Sequence, residues 1–382
     1  MSGLRVLFVT HCSGMGGANR CLLQMVKELK MMYGIEPVIL APRRREGGLT
    51  IFSKCREEGV PCIQARFYPF KLKRKIKSVI QELMNIFLFY PSIVLRMRHM
   101  HFDLVHSNGS VTAVGAMISR AKHLPHVWHL REYGILDFGL YPIFGKWYER
   151  LMYSMGDRFI AISGRIKEAF LDTIPEDKII LSYDGIDASM YNIMADHRHE
   201  KMQFVMVGVV GDGKGQLEAV KALAMLKAQG YDACLSIVGP ICNLSYGEAI
   251  RAVIAENHME DMVTLTGERD NVPEILSRMD VGLMLSRCEG FGRVTVEYML
   301  QGLAVIASDT GANPEIVDDG VTGLLYPYGD TAALADRMKT LIDHRSDIPA
   351  MAERGRQKVL DNFLSTRNTT EVYEVYKSLV KK

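Results

Sequence analysis

The 382 residues carry 46 Lys and Arg against 44 Asp and Glu, a formal net charge of +2, with 48% apolar and 24% charged residues. That balance excludes a disordered, collagenous or coiled-coil chain, and at about 150 residues per domain the length predicts two to three globular domains. No stretch of about 20 apolar residues runs unbroken: the longest candidate, Val79 to Leu95, is interrupted by Gln81, Glu82, Asn85 and Pro91. No signal-peptide pattern precedes Leu4. Seven cysteines, an odd number without a CxxC, predict neither a disulfide framework nor a zinc ribbon and fit a reducing cytoplasm.

The near-neutral total hides an asymmetry. Residues 1–132 hold 20 Lys and Arg against 8 Asp and Glu, a net +12, and the remainder carries −10. The basic part is expected to meet something anionic, either a phosphorylated substrate, an anionic membrane or nucleic acid. No aromatic-interleaved basic motif supports nucleic acid, so none is expected as a partner.

In chain order, Leu4–Val9 is a continuous apolar run that reads as a buried parallel strand. A glycine-rich turn follows, then Leu22, Leu23, Val26 and Leu29 at helical spacing, then a strand at Pro37–Leu40. This opens a doubly wound α/β sheet. Further strands are expected at Leu104–His106, His126–His129 and Phe159–Ile162. The pattern restarts near residue 203 with QFVMVGVV, followed by the short apolar runs LSIVG, VTLTG, VGLMLS and AVIAS. The polar segment Tyr183 to His199 reads as the hinge, and three helices are expected from Thr331, Pro349 and Thr366. The expected division is 1–190 and 191–365, with helix 366–382 packing back on the first domain. In open α/β sheets ligands sit beyond the carboxyl ends of the strands, so function is expected in strand-end loops.

Two loops stand out. HCSGMGGANRC follows the first strand. It fails the dinucleotide fingerprint because position 19 is Asn and no acid closes the second strand. Its glycines either let backbone approach an anion at the following helix or make a tight turn. In SRCEGFGRVTVE, Glu289 follows a strand and Glu297 lies one turn inside the next helix. The free N–H groups at that helix's start suit a phosphate, and the flanking acids suit hydroxyls of a ribose or a sugar. As isolated residues they would be solvated charges.

The run EGFGRVTVE, with seven residues between Glu289 and Glu297, resembles the signature of retaining glycosyltransferase family 4, which has the GT-B fold: two Rossmann-like domains facing each other across a cleft. GMGGANR, VWHLRE, YDGID, VGVVGDGKGQ and TGERDNVPEIL resemble further family segments in the same order. The chain departs at Val209, where the family often has Arg, and at Asp184, where its hinge has Asn. The resemblance implies a hexosyltransferase whose donor is a nucleoside diphosphate sugar, UDP or GDP, with no metal required. It implies Glu289, Lys214 and His129 as catalytic residues. Lys214 would meet the diphosphate, Glu297 the ribose, Glu289 the donor sugar and His129 that sugar's primary hydroxyl. Gly16 and Gly17 would approach the diphosphate from the other domain. Phe291, Gly292, Arg293 and Val294 would line the sugar and phosphate, and Arg269 the base side. Stereochemistry would be kept by front-face attack. Other readings of the same donor wall are a GT-B sugar-nucleotide epimerase and a binding protein without catalysis.

Residues 70–89 hold five Lys and Arg between Lys71 and Lys77. Apolar residues recur at Leu72, Ile76, Val79, Ile80, Leu83 and Phe87, one face of a helix. With Arg43–Arg45 nearby, this predicts either peripheral attachment to an anionic membrane carrying a glycan or lipid-linked acceptor, or an amphipathic helix packed on its own domain.

Overall fold

The computed structural model describes residues 3–43, 49–72, 76–191 and 194–380. Arg44, Arg45, Lys73, Arg74 and Lys75 of the expected basic clusters lie outside them. The chain forms two compact units, Met1–Gly185 with Ser365–Lys382, and Ile186–Leu364. The crossings fall five residues and one residue before the expected boundaries.

The first unit contains strands β1 (Arg5–Thr10), β2 (Glu36–Pro42), β3 (Cys62–Ala65), β4 (Lys71–Leu72), β5 (Leu104–Asn108), β6 (His126–Leu130), β7 (Tyr141–Pro142), β8 (Arg158–Ala161) and β9 (Ile179–Leu181). Seven of them form a parallel sheet in the order β3-β2-β1-β5-β6-β8-β9, while β4 and β7 make a separate antiparallel ribbon. Every residue from Val6 to Thr10 and from Leu104 to Asn108 is buried. Both sheet faces are therefore covered, which is why these strands read as unbroken apolar runs rather than alternating ones. The helix Gly17–Tyr33 follows β1 and ends on Gly34 in the left-handed conformation, the usual stop for a helix. The C-terminal helix Ser365–Leu379 docks on it. Tyr33 stacks on Tyr373 at 3.9 Å, and the buried Glu28 carboxylate accepts from Ser365 and Thr369 hydroxyls at 2.5 Å each.

The second unit repeats the plan with β10 (Met202–Val207), β11 (Ala233–Val238), β12 (Val263–Gly267), β13 (Val281–Met284), β14 (Ala304–Ser308) and β15 (Leu324–Tyr326), ordered β12-β11-β10-β13-β14-β15. Its two chain crossings are tied together: the Ile186 N–H donates to the Phe363 carbonyl at 3.0 Å, and Ile186 bridges Leu364. The segment after residue 193 is pinned through Asp280, whose buried carboxylate lies 3.4 Å from His197 and His199 and 3.5 Å from Arg345.

Residues 70–89 differ from expectation. Lys71 and Leu72 form β4, and one helix runs from Ile76 to Arg96, 21 residues long and apolar enough by length and composition to cross a membrane. Pro91 does not break it. A wide π turn at Asn85–Phe89 precedes the proline, and the extra residue in that turn relieves the demand for an N–H and the ring clash that Pro91 would otherwise impose. Lys71 does not join a basic surface either. It is buried and paired with Glu149 at 2.5 Å.

Candidate functional site

In the second unit the loops after β10 and β13, neighbouring strands, converge at their carboxyl ends. The Arg287 N–H donates to the Gly213 carbonyl at 2.8 Å, which ties the two loops. Lys214 Nζ then reaches Glu289 Oε1 at 2.6 Å, with the lysine side chain 44% and the glutamate 17% exposed. Two glycines make this approach possible. Gly215, at φ 83°, passes so close to β13's end that a Cβ would lie 2.5 Å from the Leu285 Cβ. Gly311, at φ 56°, lies against Glu289, and its Cβ would sit 2.5 Å from the Glu289 carbonyl oxygen. The loop after β14 thus clamps Glu289, and the Ala312 N–H donates to the same carbonyl at 3.0 Å. Ser308 and Thr310 hydroxyls both donate to the Ser286 carbonyl, at 2.8 and 2.9 Å, and brace the strand end beneath.

The helix Arg293–Gln301 begins directly after this pair. Its N-cap is Gly292, with no side-chain cap; the Thr295 N–H donates to the Gly292 carbonyl at 2.9 Å, and the positive end of the helix dipole lies at this turn. Glu297 lies one turn in, with its Oε1 4.0 Å from Arg293. The adjacent Tyr298 fixes the helix, since its buried hydroxyl accepts the Val207 N–H at 2.7 Å. Burial pushes the Tyr298 phenol well above its ordinary pKa, so it stays neutral. Phe291 is buried and packs edge-to-face on Phe363, with centroids 5.6 Å apart. Only its backbone is placed to serve a ligand. Val294 occupies the second position of the helix. Arg269 is exposed in the loop after the edge strand β12, two strands from β10. The structure therefore joins Lys214, Glu289 and the start of the helix carrying Glu297, and leaves Arg269 at the sheet edge. Val209, in the place of the family's arginine, is exposed.

In the first unit, Gly16 is the extended N-cap and Gly17 the first residue of the helix Gly17–Tyr33. Asn19, which spoils the dinucleotide fingerprint, is fully buried and laces the loop. It accepts from the Thr10 hydroxyl at 2.6 Å and donates to the Cys12 and Gly14 carbonyls at 3.1 and 2.7 Å. His129 is the penultimate residue of β6, fully buried. Burial, with the Arg131 charge and His106 adding to it, holds its pKa well below the ordinary value. Arg131 Nη2 lies 3.4 Å from His129 Nδ1. A guanidinium only donates, so Nδ1 accepts and Nε2 carries the imidazole proton.

Arg131 and Glu132 do not pair with each other. Arg131 is held by Asp184 at 2.5 Å and by the Asn108 side chain. Glu132 accepts from the Ser110 N–H at 2.5 Å and its hydroxyl at 3.1 Å. The acid at 184, where an Asn was expected, is thus the counter-ion of a buried arginine. Sequence reasoning marked the departure and missed its partner, because 53 residues separate the two. Among the described residues, no three His, Cys, Asp or Glu gather closely enough to hold a metal ion.

Comparison with known proteins gives the family and the fold. The family described as glycosyl transferases group 1 matches residues 193–358, and glycosyltransferase family 4 matches residues 15–190. N-acetyl-alpha-D-glucosaminyl L-malate synthase of Bacillus anthracis is 33% identical over 132 residues, 35% of each chain. The lipopolysaccharide core biosynthesis mannosyltransferase LpsB of Rhizobium meliloti is 28% identical over 240 residues, 59% of this chain and 66% of the relative. These matches span between about a third and two thirds of the relatives' own lengths. The solved structure of Anabaena Alr3699/HepE in complex with UDP and glucose superposes with a TM-score of 0.80 at 21% identity, over 98% of this chain and all of that one.

Proposed function

The chain belongs to the group 1 glycosyltransferases and has their two-domain, Rossmann-like GT-B fold, and on that premise we propose that it transfers a hexose-type sugar, with retention, from a nucleoside diphosphate sugar to a glycan or lipid-linked acceptor in surface polysaccharide or glycolipid assembly. One observation carries the reading: the Lys214–Glu289 pair set at the uncapped start of the helix Arg293–Gln301. A diphosphate arriving there exchanges Glu289 for its own oxygens as the partner of Lys214. Glu289 then accepts from hydroxyls of the donor sugar, and Glu297 from those of the ribose. UDP is the first nucleotide to test, being the one in the HepE complex.

In the reaction the bond from the anomeric carbon to the diphosphate oxygen breaks and its electron pair leaves with the diphosphate. The acceptor oxygen bonds to the same face of that carbon, and its proton passes to the departing phosphate oxygen. Lys214 and the helix N–H groups face the charge that develops, the kind of preorganised contact that contributes most to such steps. Because these groups supply the positive charge, we propose that no metal is required, so turnover should persist in EDTA. Cytoplasmic action is part of the same proposal and fits the free cysteines.

The test is a panel of UDP-, GDP- and dTDP-sugars with release of the nucleoside diphosphate and the product's anomeric configuration read by NMR. A released nucleotide and a retained configuration are expected. Failure to bind or turn over any of them overturns the reading, and an epimerised sugar nucleotide would replace it with the epimerase reaction.

A further inference from the structure

The helix Ile76–Arg96 is inside out for a protein in water. Its polar residues Ser78, Glu82 and Asn85 are buried, together with Phe89, Tyr90 and Ile93. Glu82 accepts from the Asn85 amide at 2.7 Å and from the Tyr148 hydroxyl, and Asn85 pairs with the Tyr68 backbone at 2.9 and 3.0 Å. Meanwhile Ile80, Leu83 and Leu88 are exposed, Ile76 to 84% and Phe87 to 77%. An amphipathic helix on a water-soluble domain is oriented the other way, and exposed apolar patches of this extent mark interaction sites.

A second element shares this property and is bound to the first. The segment from Ile135 to Leu151 exposes Leu136, Phe138 at 59%, Trp147 at 64% and Leu151. The ribbon of β4 and β7 ties its middle to the chain leading into the helix, with Lys71 opposite Pro142. Its helix Lys146–Tyr153 turns Tyr148 and Glu149 inward, onto Glu82 and Lys71, which leaves Trp147 and Leu151, four residues apart, outside.

The charge along the helix and its approach is almost all of one sign. Lys71 to Arg98 includes seven Lys and Arg and a single acid, the buried Glu82. Of the seven, Lys77, Arg96 and Arg98 are exposed. Lys146 and Arg150 are exposed on the second element, where Lys146 forms a loose, solvent-exposed pair with Asp172 at 3.4 Å, the kind worth little in water.

We propose that these two elements form one in-plane docking surface for an anionic bilayer, with Phe87, Phe138 and Trp147 entering the headgroup boundary and the lysines and arginines meeting lipid phosphates. Apolar side chains flanked by basic ones, with a tryptophan at the edge, are what such a boundary accommodates. The helix lies on the membrane rather than across it. Crossing would strip Glu82 and Asn85 of their partners and carry them into hydrocarbon, where unsatisfied polar groups are costly.

The chain's two tryptophans make the experiment direct, because Trp128 is already fully buried and Trp147 is not. The purified full chain is mixed with vesicles of phosphatidylglycerol and phosphatidylcholine, without donor or acceptor, so the result does not depend on sugar transfer. Flotation with phosphatidylglycerol vesicles is expected, with a blue shift of emission that disappears in Trp147→Phe and weakens as salt is raised. Phe87→Asp and Trp147→Asp should each lower partitioning at least tenfold. Leu88→Gln and Phe138→Gln, milder changes at exposed positions, should each lower it severalfold with circular dichroism unchanged. Equal binding to pure phosphatidylcholine, or no binding, overturns the proposal. So does a dimer in sedimentation that Phe87→Asp dissolves and vesicles do not compete with.

Discussion

Replacing Asp184 with Ala strands the Arg131 guanidinium inside the first unit. The two side chains are 2% and 5% exposed and 2.5 Å apart, so water cannot take over the lost partner. Removing one member of a buried pair costs about 3–5 kcal/mol, far more than the pair contributes relative to an apolar isostere. Asn108 remains as an acceptor for Arg131, but a neutral amide does not compensate a charge, and the Cys21 thiol loses its acceptor at 3.3 Å. For a unit of this size about 1 kcal/mol moves the melting midpoint by roughly 2–4 °C, so a fall of roughly 6–20 °C is expected. Tryptophan emission is the assay, because Trp128 and Trp147 both lie in the first unit and report its unfolding alone. Asp184→Asn keeps an acceptor oxygen and should lose about half as much. Arg131→Met combined with Asp184→Ala should recover most of the loss, since no unpaired charge is then buried. An Asp184→Ala midpoint within the equivalent of about 1 kcal/mol of the parent would refute the idea that this pair closes the charge balance of the domain.

Three further outcomes are expected. Glu297→Ala should weaken nucleotide binding about 10- to 100-fold, the loss of hydrogen bonds from ribose hydroxyls to a carboxylate, and unchanged affinity in calorimetry would remove Glu297 from the site. Lys214→Ala should lower turnover by about 10²–10³ with circular dichroism unchanged, and parental turnover would break the assignment of Lys214 to the diphosphate. At Asp280 burial raises the pKa, but the hydrogen bonds from His197 and the Gln203 N–H and the Arg345 charge outweigh it and hold the carboxyl below its ordinary value. A depressed carboxyl stabilises the fold above the unfolded value of about 3.9, and that contribution is lost as pH falls further, through the folded pKa. The second unit's thermal midpoint should therefore drop below about pH 4 in the parent and less steeply in Asp280→Asn; parallel profiles would count against Asp280 as the residue that pins His197, His199 and Arg345.

The inner parallel strands were readable because burial on both faces leaves them as apolar runs, whereas the short edge strands β3, β9 and β15 were not among the expected ones. Strand and glycine reasoning found the strand end that carries Glu289, since glycines beside a strand terminus mark close backbone approach, while Lys214 was named only by the family resemblance. Long-range polar partners were not readable. Nothing local to YDGID announces that Asp184 neutralises Arg131, and nothing in GMGGANR says that Asn19 laces three neighbours rather than facing a ligand. Such pairings depend on which strands become neighbours, and β6 meets the chain's 184th residue only after the sheet is assembled.

The helix Ile76–Arg96 shows a different limit. Its periodicity correctly marks a face, Ile76, Val79, Ile80, Leu83 and Phe87, but spacing alone does not say what medium covers that face. The assumption that a protein's apolar face turns inward would place Glu82 and Asn85 in water. The structure satisfies them instead with Tyr148 and Tyr68, which makes the polar stripe the internal one. Burying a carboxyl costs free energy unless it is hydrogen-bonded, and burial has already moved the Glu82 pKa upward despite the bonds from Tyr148 and Asn85. A domain that carries this cost while leaving Phe87 in solvent is arranged for an apolar medium outside, and the exposed basic residues on either side specify its charge.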